Sequence, residues 1–296
     1  MPSLHDYVAA NKRSSWVLIV VVLALVIGLV GVYSNFIRGD LVLPVLASFL
    51  AIPSSLIGYY QGDKMALASN SAKPVGRSQA PELYRLVENL AITAGLPTPK
   101  IYMISSPALN AFATGRDPEH ASVAFTTGIV ERLNRQELEG VVAHELSHVK
   151  NYDIRFSMVV AVFVGFIVIL ADLFTRSMFW GGRSRDRENS GGQAGAVLAI
   201  VGLVLLLLSP LIAKLIQLAI SRQREYLADS SGSLLTRYPE GLASALEKIA
   251  DGPSLKGAGR ATAHLFIANP FKSGGFSRLF ATHPPVAERV ARLRKA

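Results

Sequence analysis

Four stretches of this 296-residue chain carry no charged side chain, and they limit its fold more than any other feature. Residues 16–37 form 22 such positions in a row, enough for a helix to cross a hydrocarbon layer of about 30 Å. Residues 41–60 form a second run, interrupted by Pro44 and Pro53. Residues 156–171 form a third, reaching Phe174 if Asp172 lies at an interface, and residues 194–213 a fourth, with Lys214 placed to snorkel. Charged residues make up 17% of the chain against about 25% in soluble domains, and the shortfall sits in these blocks. The first run is too long for a cleaved signal and has no small-x-small site at its end, although Lys12 and Arg13 precede it. The chain reads as an α-helical integral membrane protein with four spans.

The spans divide the chain. An N-terminal segment, 1–15, precedes a first transmembrane hairpin, 16–60, which turns through Arg38-Gly39-Asp40. A polar segment, 61–155, follows, then a second hairpin, 156–214, whose Gly-, Ser- and charge-rich stretch 175–193 reads as a flexible loop. The rest, 215–296, is polar again. There is no cysteine, which excludes disulfides and thiolate metal sites. The net charge of +9 does not point to nucleic acid. Residues 61–155 balance at ten basic and ten acidic, whereas 221–296 hold twelve basic against six acidic, beside the membrane spans, where topology or anionic lipid accounts for a basic excess.

Within the first polar segment, Ala80–Ala94 predicts a helix. Pro81 suits its first turn, Leu83, Leu86, Val87, Leu90 and Ala94 share a face, and Gly95 stops it. Lys100–Ile104 and Ala121–Phe125 predict short strands, with Asn110–Thr114 as an edge strand between them. Asn134 with Glu137 predicts a capped helix start. A further helix follows Tyr238-Pro239, and a last one follows Pro284-Pro285 with Val286, Val290 and Leu293 on one face.

The chemistry concentrates on the helix that Asn134 opens. His144-Glu145-Leu146-Ser147-His148 places two imidazoles four residues apart on one face, within reach of one metal ion. Two neutral imidazoles and a carboxylate suit Zn2+ and leave a fourth position for water, whose pKa the ion lowers. Glu145 follows His144 directly, so it points beside the metal, where it can take the water's proton and pass it to the leaving amine. Glu225 is the candidate third ligand, although spacing alone equally fits a charged helix leaving the membrane. Asp229, one turn on, either holds a ligand histidine by its free ring N–H or is a solvated carboxylate.

These residues, together with Gly58-Tyr59-Tyr60-Gln61-Gly62-Asp63-Lys64, Asn110-Ala111-Phe112-Ala113-Thr114-Gly115, Val149-Lys150-Asn151, the stretch Ser221 to Tyr226 and Thr282-His283-Pro284-Pro285, make the chain resemble the HtpX-like membrane zinc metalloproteases, with the CAAX prenyl proteases as more distant relatives. The resemblance spans nearly the whole chain. It implies a mainly α, α+β zincin-like (gluzincin) catalytic domain with a small edge-stranded sheet, one zinc per chain, and His144, His148 and Glu225 as ligands. It implies that Asn110, Ala111 and Phe112 lie on the strand that pairs with an extended substrate, unless they form an ordinary sheet edge. It also implies that His283 steadies the oxyanion, unless it only precedes the last helix. The implied substrates are polypeptides, misfolded or damaged membrane proteins in particular, in protein quality control and stress response.

The ligands constrain topology. The histidine pair lies shortly before the third apolar run and Glu225 shortly after the fourth, so one shared metal requires that those runs leave the site and return to it. The N-terminus then falls on the same side, which carries 24 Lys and Arg against five opposite. The expected location is a bacterial or archaeal inner membrane, multi-pass, with the active site and both termini cytoplasmic. A membrane scaffold or chaperone with structural zinc is the rival of another class, and a prenyl-protein endoprotease the nearer alternative, for which four spans are too few. Oligomeric state is not legible.

Overall fold

The computed structural model describes residues 4–37, 42–165, 222–270 and 283–295. Two long helices, α1 (Leu4–Ile37) and α2 (Val42–Ser69), open it. Their rings meet where Trp16 stacks on Tyr59 at 5.5 Å, and α2 runs through Pro53 without a break. Then come β1 (Lys73–Pro74), α3 (Pro81–Ala94), β2 (Lys100–Ile104), β3 (Ala111–Thr114), β4 (Ser122–Thr126), α4 (Thr127–Arg132) and α5 (Arg135–Lys150). Residues 153–165 are helical and are called α6. The later elements are α7 (Arg222–Thr236), α8 (Pro239–Asp251), a 3-10 turn at Arg260–Leu265 and α9 (Val286–Leu293).

The local signals act as expected from their chemistry. Pro81 occupies the first turn of α3, where its missing N–H costs nothing, and Gly95 ends it in the left-handed region at φ 71°. Asn134 and Glu137 form a reciprocal capping box, with Oδ1 accepting from the Glu137 N–H at 2.9 Å and Oε2 accepting from the Asn134 N–H at 2.8 Å. Glu137 then serves a second purpose. Its carboxylate, nearly buried, accepts from Lys248 Nζ at 2.7 Å and Ser244 Oγ at 2.6 Å, which ties α8 to the start of α5.

The sheet has the order β1-β2-β4-β3, with β2 and β4 parallel and the other pairs antiparallel. Alternation along the strands gives it two apolar faces. Ile101, Val123 and Phe125 join a core with Val87 of α3, Val142 and Leu146 of α5, and Leu246 of α8. Phe112 and Ala124 face a smaller core with Phe266. A third cluster packs Leu18 and Ile19 of α1 against Phe156, Val160 and Phe163 of α6.

The first two apolar runs thus lie in α1 and α2, and the third begins in α6. The flexible loop 175–193 and the fourth run lie outside the described residues. Among the described residues, no helix is long and apolar enough to cross a membrane. The architecture shown is a mainly helical fold carrying a small mixed sheet.

Candidate metal centre

One turn of α5 brings His144 and His148 together, with their Nε2 atoms 3.2 Å apart. Each ring is braced from behind by a carboxylate. Nδ1 of His144 lies 3.0 Å from Asp229 Oδ1, and Nδ1 of His148 lies 2.9 Å from Asp153 Oδ2. A carboxylate only accepts, so each Nδ1 donates and each Nε2 is left facing the shared gap. Glu225 of α7 closes the third side, Oε1 at 3.7 Å from His148 Nε2 and Oε2 at 4.0 Å from His144 Nε2. One ligating atom from each of the three residues falls within 4.8 Å of the others.

Close approach of two helices makes this possible. Gly232 of α7 lies against α5, where a Cβ would stand 3.0 Å from the His144 nitrogen. Glu225, Asp229 and Gly232 share one face of α7 at helical spacing. The missing side chain at Gly232 lets both carboxylates reach the histidines.

The gap attracts positive charge. Burial alone pulls the His148 imidazolium down, but the Asp153 hydrogen bond and the Glu225 and Glu145 carboxylates outweigh it and raise His148 to about 9. His144, wholly enclosed, is held below its ordinary value by burial, which the Asp229 bond only partly offsets. Burial pushes Glu225 upward, yet the neighbouring His283, Arg289 and His148 hold it well below the usual carboxylate range.

Glu145 is 2% exposed and lies in the same cleft, which Ala113, Ile154, Leu265 and Phe266 also line. Its carboxylate accepts from the backbone N–H of Ala113. Burial, helped by the Glu225 charge, raises it to about 7. His283 lines the cleft as well, with Nδ1 at 3.3 Å from Glu225 Oε2.

The strand residues are placed differently from His283. Asn110, Ala111 and Phe112 are 3%, 0% and 0% exposed, and none of them lines the cleft. β3 is a sheet edge, but the chain's own segment covers this part of it. The Ile267 N–H donates to Ala111 O at 2.9 Å, and the Asn110 side chain donates to Ala268 O at 2.9 Å. Phe112 meets Phe266 edge to face at 4.9 Å. Ala113, one residue further along, is where β3 reaches the cleft.

Three residues of the site were not singled out from sequence. Asp153 braces His148, and a carboxylate just past the end of the histidine helix was the available signal. Arg289 binds Asp229 and stands 3.3 Å from Glu225 Oε2, and it is a lone charge within the apolar stripe of α9. His264 lines the cleft, its Nε2–H donating to Ser157 O at 3.0 Å, and burial lowers it to about 4. No local pattern distinguished it.

The donor set fits zinc. Bonds of about 2.0 Å in tetrahedral geometry put ligand atoms about 3.3 Å apart, and the two Nε2 atoms stand at 3.2 Å with Glu225 a few tenths further out. Two braced imidazoles and one carboxylate leave one of four positions open, the pattern of a catalytic ion and not a structural one.

Comparison with known proteins agrees with this geometry. Residues 77–296 match Peptidase family M48. A "Protease HtpX homolog" of Dictyoglomus turgidum is 43% identical over 294 residues, covering 99% of this chain and 94% of that protein. One of Ligilactobacillus salivarius is 40% identical, covering 98% and 99%, and one of Tropheryma whipplei 42%, covering 99% and 98%. The crystal structure of S. mikatae Ste24p shares the fold, with a TM-score of 0.52 at 21% identity over 95% of this chain and 67% of that one. With its histidine pair, its glutamate and these relatives, the chain belongs to peptidase family M48 and is a metallopeptidase.

Proposed function

We propose that the chain is a membrane-bound zinc endopeptidase that hydrolyses peptide bonds of polypeptides, misfolded or damaged membrane proteins among them. The observation that carries this reading is the convergence of His144, His148 and Glu225 beside a buried Glu145 in one cleft. Zinc held by those three residues supplies a Lewis acid that lowers the pKa of water and polarises the scissile carbonyl.

The chain's own residues supply the rest. Glu145, buried in the cleft beside the ligands, is placed to take a proton from the attacking water and give it to the leaving amine. The Ala113 N–H holds its carboxylate in place. Asp229 and Asp153 fix the imidazole rings, so the ligands spend little freedom on binding. His283 faces the cleft as a donor to the developing oxyanion. An extended substrate pairs along the β3 edge at Ala113, next to the stretch of Asn110, Ala111 and Phe112 that the Ile267 segment covers.

A membrane setting is supported by the four charge-free runs and by the surface of the described helices. Trp16, Val17, Val20 and Val21 of α1 and Leu56 and Ile57 of α2 are all about half exposed. Exposed large apolar side chains in this number mark an interface with lipid or protein. α6 starts at Asp153, which braces His148, and α7 carries Glu225 in its first turn, so both flanks of the expected second hairpin lie on the catalytic side. The excess of Lys and Arg on that side makes it cytoplasmic, in a bacterial or archaeal inner membrane.

A scaffold with structural zinc gives no use to a buried glutamate beside an open coordination position. The test is zinc stoichiometry on the solubilised full chain together with casein cleavage, with and without chelator. One zinc per chain and chelator-sensitive cleavage are expected. Zinc without any cleavage favours the scaffold, and cleavage confined to prenylated peptides favours the prenyl endoprotease.

A further inference from the structure

Asn11 lies on α1 just before the first apolar run and is 8% exposed. Its side-chain nitrogen donates to Asp153 Oδ1 at 2.7 Å and to the backbone oxygen of Asn151 at 2.9 Å. Both partners only accept, so the nitrogen and not the oxygen of the amide must face them. The other oxygen of Asp153 lies 2.9 Å from Nδ1 of His148. A chain of two hydrogen bonds therefore joins α1 to a ring of the metal centre, and its first link, from Asn11 to Asp153, spans 142 residues of sequence.

The neighbouring contacts point the same way. Asn151 and Tyr152 make the tight link between α5 and α6, which Asp153 opens, and Tyr152 sits in the left-handed region at φ 61°. That conformation costs a residue with a side chain about 1–2 kcal/mol, so something must hold the link closed. Lys12, next to Asn11, stands over the Tyr152 ring at 4.1 Å, and Arg155 stands 5.0 Å from the same ring. Leu18 and Ile19 continue the contact onto α6. Two adjacent residues of α1 thus hold the strained tyrosine and the carboxylate that follows it.

We infer that Asn11 is a positioning residue for the metal centre: it fixes the Asp153 carboxylate, which fixes the His148 ring, so the helix that carries the first apolar run sets the geometry of the site. A packing role alone needs only a side chain of this volume. A role through Asp153 needs the two N–H donors. The inference rests on His148 as a metal ligand and adds α1 to the machinery that holds it.

The experiment uses the full chain in detergent or nanodiscs, loaded with zinc, and measures loss of zinc to a chelator. Asn11→Leu is expected to speed that loss about tenfold or more, the usual effect of losing a group behind a metal ligand. The visible spectrum of the cobalt-substituted enzyme is expected to shift, and kcat to fall with KM little changed. Ser15→Ala, one turn along the same helix, removes only a bond within α1 and is expected to change none of these. In an Asp153→Ala background, Asn11→Leu is expected to add nothing, because residues acting through one another are not additive. Additive losses overturn the inference, even if Asn11→Leu also lowers the melting temperature. Wild-type zinc retention in Asn11→Leu overturns it too and leaves the proposed function standing. A wild-type enzyme that holds no zinc sinks both.

Discussion

Arg289 grips Asp229 through two parallel hydrogen bonds, Nε to Oδ2 at 2.9 Å and Nη2 to Oδ1 at 2.6 Å, with 1% of its side chain exposed. The same guanidinium stands 3.3 Å from Glu225 Oε2 and donates to Ile267 O at 3.3 Å. One cation from the last helix therefore balances two buried carboxylates of α7, one that braces His144 and one that faces the metal gap. Its five donors in a rigid plane suit this forked contact, and a lysine's do not.

Removing that cation is expected to leave the buried Asp229 and Glu225 carboxylates repelling each other. Arg289→Met should destabilise the protein by about 3–5 kcal/mol, the usual result of breaking one side of a buried ion pair. Arg289→Lys should fall between Met and wild type, because it keeps the charge and loses the fork. Thermal melting of the apo enzyme checks the order. Equal stability of all three forms would show that the pair is not coupled to the fold.

Glu145→Gln separates binding from chemistry. Glutamine fills the same space beside the Ala113 N–H but cannot accept the water's proton. Zinc content should stay at the wild-type level, while casein cleavage should drop by about 100- to 10,000-fold. Undiminished cleavage by this variant would falsify the assignment of Glu145 as general base.

Much of this centre is readable from the sequence, for a definite reason. His144, Glu145 and His148 lie within a single helical turn, and helical geometry fixes their relation wherever the helix goes. The same holds for the ends of α3 at Pro81 and Gly95 and for the capping box at Asn134 and Glu137, which are all short-range devices. Glu225 is another matter, because its reach to the histidines depends on how closely α7 packs on α5. Asp153 returns to His148 only because Tyr152 adopts a left-handed turn, which its residue type does not announce. Arg289 left a trace, a charge on the same stripe as Val286, Val290 and Leu293, but its partner lies 60 residues away. At β3, the sequence predicts a strand at the edge. It does not show that Ile267 covers the Ala111 part of that edge and leaves Ala113 at the cleft, since that pairing joins distant segments.

The raised value of His148 predicts opposite pH trends for the apo and zinc-bound states. In the apo enzyme the protonated ring is held by Asp153, Glu225 and Glu145, so its pKa rises from 6.5 to about 9. That contribution to stability is full below about 6.5 and is lost as pH rises toward about 9. Zinc must displace the proton, so apparent affinity should climb over the same interval, by up to about one log unit per pH unit from this group. Melting of the apo enzyme and zinc titration in a metal buffer at pH 6.5 and 8.5 test both trends. Affinity that is flat across that interval would place the proton elsewhere.

The spacing between α5 and α7 can be tested at Gly232. An alanine Cβ there would meet the His144 nitrogen at 3.0 Å and the Ala143 carbonyl carbon at 3.2 Å, both of them backbone atoms that cannot rotate away. The helices must then part by a few tenths of an ångström. The core is expected to absorb that at about 1–3 kcal/mol, the usual range for overpacking. The metal centre should be less tolerant, because Glu225 already stands 3.7 Å and 4.0 Å from the two imidazole nitrogens, and α7 carries it further off. Gly232→Ala should therefore stay folded and lose zinc to a chelator faster than wild type, with cleavage falling in proportion to the zinc lost. Gly76→Ala is the control, since a Cβ there meets only the Gln79 side chain, at 3.9 Å. If Gly232→Ala melts lower yet holds zinc as firmly as wild type, the third ligand does not depend on this helix contact, and Glu225 must reach the metal by side-chain freedom alone.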